Sequence, residues 1–410
     1  MSKLADELYR ERLKRVTDAI ELRVPDRVPV STPFGYFPAK YCGILAHDAF
    51  YDYPKWKQAY KKTVIDYEPD MFRLVTNESG QVLEAVISKQ TLWPGHGVPE
   101  TSAQQFVEGE YMTADEYDMF LNNRADFIIR HYLPRVYGLF EPLANLPPLN
   151  TQTGVIPYHL LATPEFSNLL TTLVTASKQT MKWRAETGTF AAEMDELGYP
   201  SYGGFAGLAP FDMISDNFRG MRGAMLDMYR NPDKLLEACD ILLQQQAQMI
   251  KALNIPGKTK IGFIPLHRGA DGFMSGKQFE TFYWPTLKQH INNVIDAGIT
   301  PCVFFEGDYT SRLEYLLELP KGKVLGQFDS SDIVKVKDVL KNHMCIMGNV
   351  PPSLLQTGST EDVKDYCKWL IDVVGKDGGF IMSPRSAIDE VKPENLKMMF
   401  DITKEYGVYN

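Results

Sequence analysis

Eight short apolar runs, rich in β-branched and aromatic residues, recur along the chain, and most are followed by a segment with helical periodicity. From the fourth run onward their spacing is regular, and strand followed by helix in repetition indicates a parallel sheet. Eight such units favour a single α/β chain folded as a (β/α)8 TIM barrel over an open doubly wound sheet, because no GxGxxG motif follows the first run. The predicted strands are VPVST (28–32), MFRLVT (71–76), GGFAG (203–207), KIGFIPL (260–266), TPCVFF (300–305), KVLGQF (323–328), MCIMG (344–348) and GGFIMS (378–383).

The segments between the later runs begin with residues that start helices. Ser275 with Gln278 and Ser359 with Asp362 have the spacing of capping boxes, in which each side chain bonds to a free backbone amide of the other's turn. Pro393 suits a first helical position, where no amide hydrogen is needed. These signals support the alternation of strands and helices.

A long excursion, approximately residues 77–200, separates the second run from the third. A structureless loop of that length is rare in a compact domain. We therefore expect it to fold as a hairpin with helices over the barrel mouth, within one domain that spans residues 1–410. The charged, amphipathic residues 1–20 predict a helical extension before the first strand.

Composition narrows the classes of partner. The chain is 44% hydrophobic and 12% aromatic, which is typical of a well-cored globular protein. Its net charge of -9, without a basic tract, argues against nucleic acid or an anionic membrane as a partner. No run approaches the roughly 18 apolar residues of a membrane span, and five scattered cysteines without a CxxC pair indicate no disulfide framework. We expect a cytoplasmic protein that acts on small molecules and that could form a homodimer.

Candidate site residues follow the predicted strands, because the active site of a (β/α)8 barrel lies at the carboxyl ends of its strands. Glu306 is the strongest candidate, since glutamate is a poor strand residue and a poor helix cap, and Gly307 behind it allows a tight turn. The further candidates are His267, Arg268 and Asp271 after the fourth run, Asp308 after the fifth, Asp329 and Asp332 after the sixth, Asn349 after the seventh, Arg385 after the eighth, and Phe34 and Tyr36 after the first.

Several of these residues also have structural explanations. Asp271 and Asp329 stand at strand–helix junctions, where an aspartate caps a helix as readily as it serves as an acid. His267 suits a hydrogen-bonded rim position as well as a catalytic one. Arg268 and Arg385 could clamp a substrate carboxylate or neutralise the neighbouring acids.

Three stretches of the chain resemble the uroporphyrinogen decarboxylase superfamily, whose fold is a (β/α)8 barrel. The resemblance runs over essentially the whole chain, and the order and spacing of the stretches are its specific feature. They are ERLKRVTDAIELRVPDRVPV (11–30), DMYRNPDKLLEACD (227–240), and GFMSGKQFETFYWP (272–285) followed by MGNVPPSLLQTGSTEDV (347–363).

Two branches of that superfamily fit poorly. The decarboxylases carry an arginine-rich motif after the first strand for a substrate with many carboxylates, whereas STPFGYFPAKYCGI (31–44) offers only one lysine. The thiol-using methyltransferases bind zinc through His and Cys residues, but Phe304, Glu306 and Ser386 stand at those positions here. Asp308 takes the place of an asparagine in the same motif.

The chain is most similar to the superfamily members that move a methyl group from a methoxylated aromatic to the corrinoid of a partner protein. That resemblance implies a corrinoid-binding protein as partner, corrinoid as the cofactor that it carries, and, for some members, zinc. Uroporphyrinogen decarboxylation and another methyl donor remain the alternatives.

The expected reaction expels a phenolate, whose conjugate acid titrates near 10 as tyrosine does, so the oxygen needs a proton or a Lewis acid. Glu306, kept protonated by burial, could donate the proton, or Glu306, His267 and one aspartate could bind zinc. Asp329 is the third expected catalytic residue. Expected substrate contacts are Phe34 and Tyr36 on the ring, Arg268 or Arg385 on a ring carboxylate, and Asp271 and Asn349.

Overall fold

The computed structural model describes residues 3–75, 77–149, 158–253 and 258–409. Its central feature is a ring of parallel strands. A small separate sheet of three strands (β3, β4 and β5) is not part of that ring. The strands are β1 (Ser31–Thr32), β2 (Met71–Arg73), β3 (Thr91–Pro94), β4 (Gly97–Val98), β5 (Gln105–Phe106), β6 (Ser201–Tyr202), β7 (Gly204–Phe205), β8 (Ile261–Leu266), β9 (Thr300–Phe305), β10 (Leu325–Phe328), β11 (Cys345–Val350) and β12 (Phe380–Pro384).

The ring has eight positions. One sheet runs β1-β2-β6 and the other runs β7-β8-β9-β10-β11-β12, and only Gly203 separates β6 from β7. A parallel bridge between Val30 and Met382, with the Met382 amide donating to the Pro29 carbonyl at 2.8 Å, joins the last strand to the first. The predicted (β/α)8 barrel is therefore confirmed.

Helices follow most of the barrel strands, and the predicted helix starts are confirmed. Ser275 with Gln278 and Ser359 with Asp362 both form capping boxes, and the last helix begins at Pro393. The helices are α1 (Lys3–Ile20), α2 (Phe37–Cys42), α3 (Asp48–Tyr51), α4 (Tyr53–Tyr67), α5 (Gly80–Ala85), α6 (Tyr117–Asn122), α7 (Arg124–Phe127), α8 (Leu133–Val136), α9 (Tyr158–Leu161), α10 (Pro164–Thr187), α11 (Phe190–Glu196), α12 (Pro210–Ile214), α13 (Gly220–Arg230), α14 (Pro232–Lys251), α15 (Gly276–Gln278), α16 (Trp284–Asp296), α17 (Ile333–Leu340), α18 (Pro352–Thr357), α19 (Thr360–Leu370) and α20 (Pro393–Tyr406).

Two hydrophobic cores divide the barrel between inside and outside. The larger core lies between the strands and the surrounding helices. The smaller fills the interior of the barrel toward the amino-terminal ends of the strands. There Val16, Ala19 and Ile20 of α1 pack against inward side chains such as Cys302 and Cys345. The amphipathic start of the chain thus closes the amino-terminal end of the barrel, and the site must lie at the other end.

The excursion between β2 and β6 carries strands β3 to β5 and helices α5 to α11. Strand β3 pairs antiparallel with β5, as a hairpin does, and parallel with β4. The capping box of Thr113 and Glu116 is present, although the turn that it starts is 3-10 and the α-helix begins at Tyr117. Residues 150–157 of the excursion lie outside the described residues.

Most strands are shorter than their apolar runs, because only the paired residues form the ladder. The first run forms a ladder only at Ser31–Thr32, beside the single bridge at Val30. The second ends at Arg73, while Thr76 lies outside the described residues. The seventh is longer than predicted and reaches Val350. Among the residues that the structure describes, no helix combines the length and apolar character needed to cross a bilayer.

Candidate active site

A cavity of about 850 Å³ opens at the carboxyl ends of the strands. Its lining combines five apolar side chains with seven polar ones. The apolar residues are Phe106, Phe205, Leu208, Pro265 and Phe273, the polar residues are Gln104, Asp216, Asn217, His267, Arg268, Glu306 and Asp329, and Gly307 completes the lining. An apolar pocket with a few convergent polar groups is the common form of a small-molecule site.

His267 and Asp216 form the closest polar contact of this cavity. The Nδ1 atom of His267 lies 2.5 Å from Oδ2 of Asp216, which is almost wholly buried. On the other side of the ring, Nε2 lies 3.9 Å from Oε2 of Glu306. The imidazole is thus oriented by a buried carboxylate and directs its second nitrogen toward the exposed carboxylate.

Asp212 fixes the backbone that carries the histidine. Its carboxylate accepts hydrogen bonds from the amides of His267 and Arg268 at 2.8 and 2.9 Å, and from the Tyr283 hydroxyl at 2.7 Å. It is fully buried, and burial raises its pKa to about 6. Asp212 lies one turn before Asp216 in the same helical segment. This segment therefore positions the backbone of His267 through Asp212 and its ring through Asp216.

The surroundings of His267 keep its ring charged at neutral pH. Burial by itself lowers the pKa of His267, but the hydrogen bond to Asp216 and the charges of three nearby carboxylates outweigh it. The pKa is raised from 6.5 to about 9. With Nδ1 held by Asp216, the protonated ring presents its Nε2 hydrogen toward Glu306.

Arg268 is engaged by protein groups. Its Nε donates to the Ser215 hydroxyl at 2.9 Å, and its terminal nitrogen donates to Asp216 and to Glu108 of the excursion. The second oxygen of Glu108 accepts from the Met221 amide at the start of α13. Arg268 therefore ties the excursion to the barrel beside the cavity.

Asp329, in the loop that follows β10, lines the cavity and supports the turn after β9. Its Oδ2 accepts from the Gly307 amide at 3.1 Å and from the Ser330 hydroxyl at 2.8 Å. Gly307 has φ +91°, a conformation that favours glycine and that turns the chain directly after Glu306. The buried Asn349 side chain donates to the Asp329 carbonyl at 3.3 Å.

A model of the uroporphyrinogen decarboxylase (URO-D) family matches residues 185–406, which carry six of the seven polar residues of this cavity. The chain belongs to the uroporphyrinogen decarboxylase family. The matched range is more than half of the chain and includes the third to eighth barrel positions. The predicted superfamily is confirmed.

Two known proteins are similar to this chain, one over about a third of its length in sequence and one over nearly its whole length in structure. A uroporphyrinogen decarboxylase from Syntrophotalea carbinolica is 24% identical over 131 residues, which are 32% of this chain and 37% of that protein. The alignment thus spans little more than a third of that relative. A methyltransferase from Methanosarcina mazei shares the fold with a TM-score of 0.59 and 15% identity, over 96% of this chain and 98% of that one. At that identity the similarity concerns the fold alone.

Not all the predicted site residues come together in this URO-D family member. His267, Arg268, Glu306 and Asp329 line one cavity. Asn349 lies beneath it, in contact with Asp329.

The remaining predicted contacts lie elsewhere. Phe34 is fully buried in the outer core against Tyr67 and Phe400. Asp271 accepts from the Ser311 amide and hydroxyl and lies 3.2 Å from Arg312. The structure brings neither Phe34 nor Asp271 to the cavity.

Tyr36 and Arg385 are engaged near the cavity without lining it. The Tyr36 hydroxyl donates to Asn77 at 3.3 Å in the buried layer behind Gln104. Arg385 donates through Nε to the Asn349 carbonyl at 3.2 Å. Their predicted roles in substrate binding stay predictions.

The predicted zinc ligands do not form a metal site in the described part of the chain. No three His, Cys, Asp or Glu side chains of the described residues are grouped so that they could hold a metal ion. His267 has one nitrogen taken by Asp216, and the Asp329 oxygen that faces the turn is taken by an amide and a hydroxyl. A catalytic zinc usually has three protein ligands, so these residues do not fit one, and we derive no step through zinc.

Asp216, the partner of His267, and Glu108, a partner of Arg268, were not predicted from the sequence. Both lie far along the chain from the residues that they contact, and only folding brings them together. One local signal existed, because Asp212 and Asp216 in FDMISD are four residues apart and lie on one helical face. The π-helical turn Ser215–Arg219 that carries Asp216 is of a kind often found at functional sites.

Proposed function

We propose that this protein transfers a methyl group from an aryl methyl ether to the Co(I) corrinoid of a partner protein. The observation that supports this most is the contact of His267 with the buried Asp216 at the edge of a cavity with aromatic walls. Family membership supports an enzyme on this scaffold, and the lining residues support the class of substrate.

The reaction breaks the bond between the methyl carbon and the ether oxygen and forms a bond between that carbon and cobalt. The electron pair of the broken bond stays on oxygen, and the leaving group would be a phenolate. Its conjugate acid titrates near 10, so phenolate leaves slowly unless it is protonated as the bond breaks. The corrinoid, carried by the partner, supplies the nucleophile.

His267 is the residue suited to supply that proton. Its pKa of about 9 is close to that of a phenol, which suits proton transfer in the transition state. The ring is held by Asp216 through Nδ1, so the Nε2 hydrogen is the one available to the ether oxygen. In this mechanism Glu306 stabilises the charged ring from 3.9 Å. The prediction that Glu306 is buried is wrong, because its side chain is exposed.

The walls of the cavity suit an aromatic ring more than a substrate with many charges. Phe106, Phe205 and Phe273 are each more than a third exposed and form the apolar side of the cavity. Apolar area of this kind stabilises a bound ring by about 25 cal/mol for each Å² removed from water. The ring would therefore bind between these side chains, with its methoxy group toward His267.

The rival function within the family, decarboxylation of a porphyrinogen, is disfavoured by charge. The lining holds three carboxylates, those of Asp216, Glu306 and Asp329, and one arginine. That arginine, Arg268, is already paired with Asp216 and Glu108. A substrate with eight carboxylates would be repelled by such a lining.

The test is methylation of a Co(I) corrinoid protein by a panel of methoxybenzoates and methoxyphenols, followed by the absorbance change of the corrinoid. We expect turnover with at least one compound, and loss of that turnover in H267Q. H343Q is the matched control, because His343 lies before β11 at the opposite end of the barrel. No methylation across the panel, together with consumption of uroporphyrinogen, would instead favour the decarboxylase.

A further inference from the structure

We infer that Arg73, inside the barrel below the cavity, binds the carboxylate of the substrate, so that the substrate is an aryl methyl ether with an acid group on its ring. The inference rests on the proposed function for its reaction. The site itself rests on the surroundings of Arg73, described next, and can be tested without the reaction.

Arg73 projects into the barrel. Along β2, Met71 belongs to the inner core and Phe72 to the outer core, where it packs against Tyr60 and Phe190. Because side chains alternate along a strand, Arg73 faces inward again, one layer above Met71. It is partly exposed, whereas the layer below it is buried.

The guanidinium of Arg73 has no anionic partner among the residues that the structure describes. It forms no ion pair or side-chain hydrogen bond there, and it lies over the Phe263 ring, 4.4 Å from the centroid. Phe263 stacks on Phe304 at 6.0 Å and pairs in register with Phe205 of the cavity wall. Arg73 is therefore flanked by aromatic rings that continue the apolar wall downward.

Two buried hydroxyl groups beside Arg73, those of Tyr202 and Ser31, form no hydrogen bond of ordinary geometry within the described residues. They lie close enough to interact weakly with each other. Burial raises the pKa of Tyr202, and the positive charge of Arg73 opposes that rise, which places the two groups near each other. An unpaired cation beside two hydroxyls without a well-formed hydrogen bond is a donor set that an anion would satisfy.

The local backbone leaves room for the arginine. Gly203, between β6 and β7, has φ +120°, and a Cβ there would lie 2.9 Å from Cγ of Arg73. Any side chain at this position would displace the arginine stem. A purely structural inner layer would be filled by an apolar side chain, since a partly buried charge without a partner costs free energy.

The depth of Arg73 suits a ring between it and His267. Phe304, whose ring stacks on the Phe263 ring beside Arg73, lies two residues before Glu306, and two strand residues rise roughly 6.6 Å. That distance is comparable to the span of a para-substituted benzene ring. Of the two arginines that the sequence indicated at this end of the barrel, Arg268 is paired with carboxylates and Arg385 donates through Nε to a backbone carbonyl, whereas the Arg73 guanidinium has neither kind of partner among the described residues.

The test is equilibrium binding by titration calorimetry, with the full chain and without any methyl acceptor. The probes are 4-methoxybenzoate and the neutral 4-methoxybenzyl alcohol. We expect the wild-type chain to prefer the benzoate by about 10- to 100-fold, as a charge-assisted hydrogen bond allows, and R73M to lose the preference. R222M is the matched control, because Arg222 is exposed and lies outside this cavity.

R73Q provides a second variant in case R73M does not fold, and thermal unfolding of each variant reports on the fold. Equal binding of the two probes by the wild-type chain, binding of neither, or a preference that persists in R73M and R73Q would overturn the inference. A benzoate preference that depends on Arg73, without methyl transfer to any Co(I) corrinoid protein, would leave this site in place and reject the proposed reaction instead.

Discussion

Two groups of acidic residues stand at the mouth of the barrel, and they do different things. The cavity acids, Asp212, Asp216 and Glu306, surround His267 from two elements, the helical segment 210–219 and the end of β9. The loop acids, Asp271, Asp308 and Asp332, satisfy backbone amides and hydroxyls of the loops in which they lie or of the neighbouring loop. In sequence the two groups are alike, since most of these residues simply follow a strand.

The difference lies in what each carboxylate faces. Asp308 accepts from the Thr310 amide and hydroxyl, and Asp332 accepts from the amides of Val334 and Lys335 as the cap of α17. Their carboxylates accept hydrogen bonds from donors in the surrounding loops. The cavity acids instead act on a titratable ring, and so only they change the chemistry of the cavity.

The largest expected effect is that of H267Q. Loss of the proton donor should lower the rate of methyl transfer by about 10²- to 10⁴-fold, the usual contribution of a general acid. Single-turnover absorbance changes of the corrinoid protein measure the rate. A variant that unfolds at the wild-type temperature and transfers methyl groups at the wild-type rate would contradict the assignment.

D216N should come next. Loss of the carboxylate charge and of its hydrogen bond lowers the pKa of His267 from about 9, so less of the ring is protonated above neutral pH. We expect kcat to fall roughly 10- to 100-fold, with its alkaline limb displaced to lower pH. The pH profile of kcat in the two proteins decides this, and an unmoved limb would show that His267 is not the titrating acid.

His267 should also make stability depend on pH. Its native pKa of about 9 lies above the unfolded 6.5, so its contribution is fully present below pH 6.5 and is lost as pH rises through 9. With allowance for the partly exposed ring, the loss is about 1–2 kcal/mol. Urea unfolding at pH 6 and pH 9.5 measures it, and H267Q should lack this part of the pH dependence.

D271N should affect stability more than catalysis. Asp271 binds the Ser311 amide and hydroxyl and lies beside the buried Arg312. Weakening these contacts should lower the free energy of unfolding by about 1–2 kcal/mol. Methyl transfer should stay within a few-fold of wild type, and a loss as large as that of D216N would erase the distinction between the two groups.

D332A should give the smallest effect. Removal of the cap of α17 should cost about 1 kcal/mol of stability, as measured by urea unfolding. The rate of methyl transfer should not change, because Asp332 does not line the cavity.

Much of the fold was predictable from the sequence because it depends on local patterns. The apolar runs mark the eight strand positions, and Ser275, Ser359 and Pro393 mark helix starts to the residue. Strand ends were less predictable, as at Ser31–Thr32, because pairing with neighbours decides where a ladder stops.

The candidate site was predictable only in part. Strand ends in a parallel barrel meet at one edge, so His267, Arg268, Glu306 and Asp329 could be expected to lie together. Phe34 and Asp271 also follow strands, yet one packs into the outer core and the other holds a loop. Position after a strand does not specify the direction in which a side chain points.

The sequence by itself determined the barrel, the helix starts and the family, because hydrophobic period, capping chemistry and motif order are all properties of neighbouring residues. Only the tertiary structure decided which charges remain free. It placed Asp216 on His267, engaged Arg268 with Glu108, and left Arg73 without an anionic partner among the described residues. Those pairings join residues that are from about 50 to 160 positions apart, and such distances are set by packing of the whole chain.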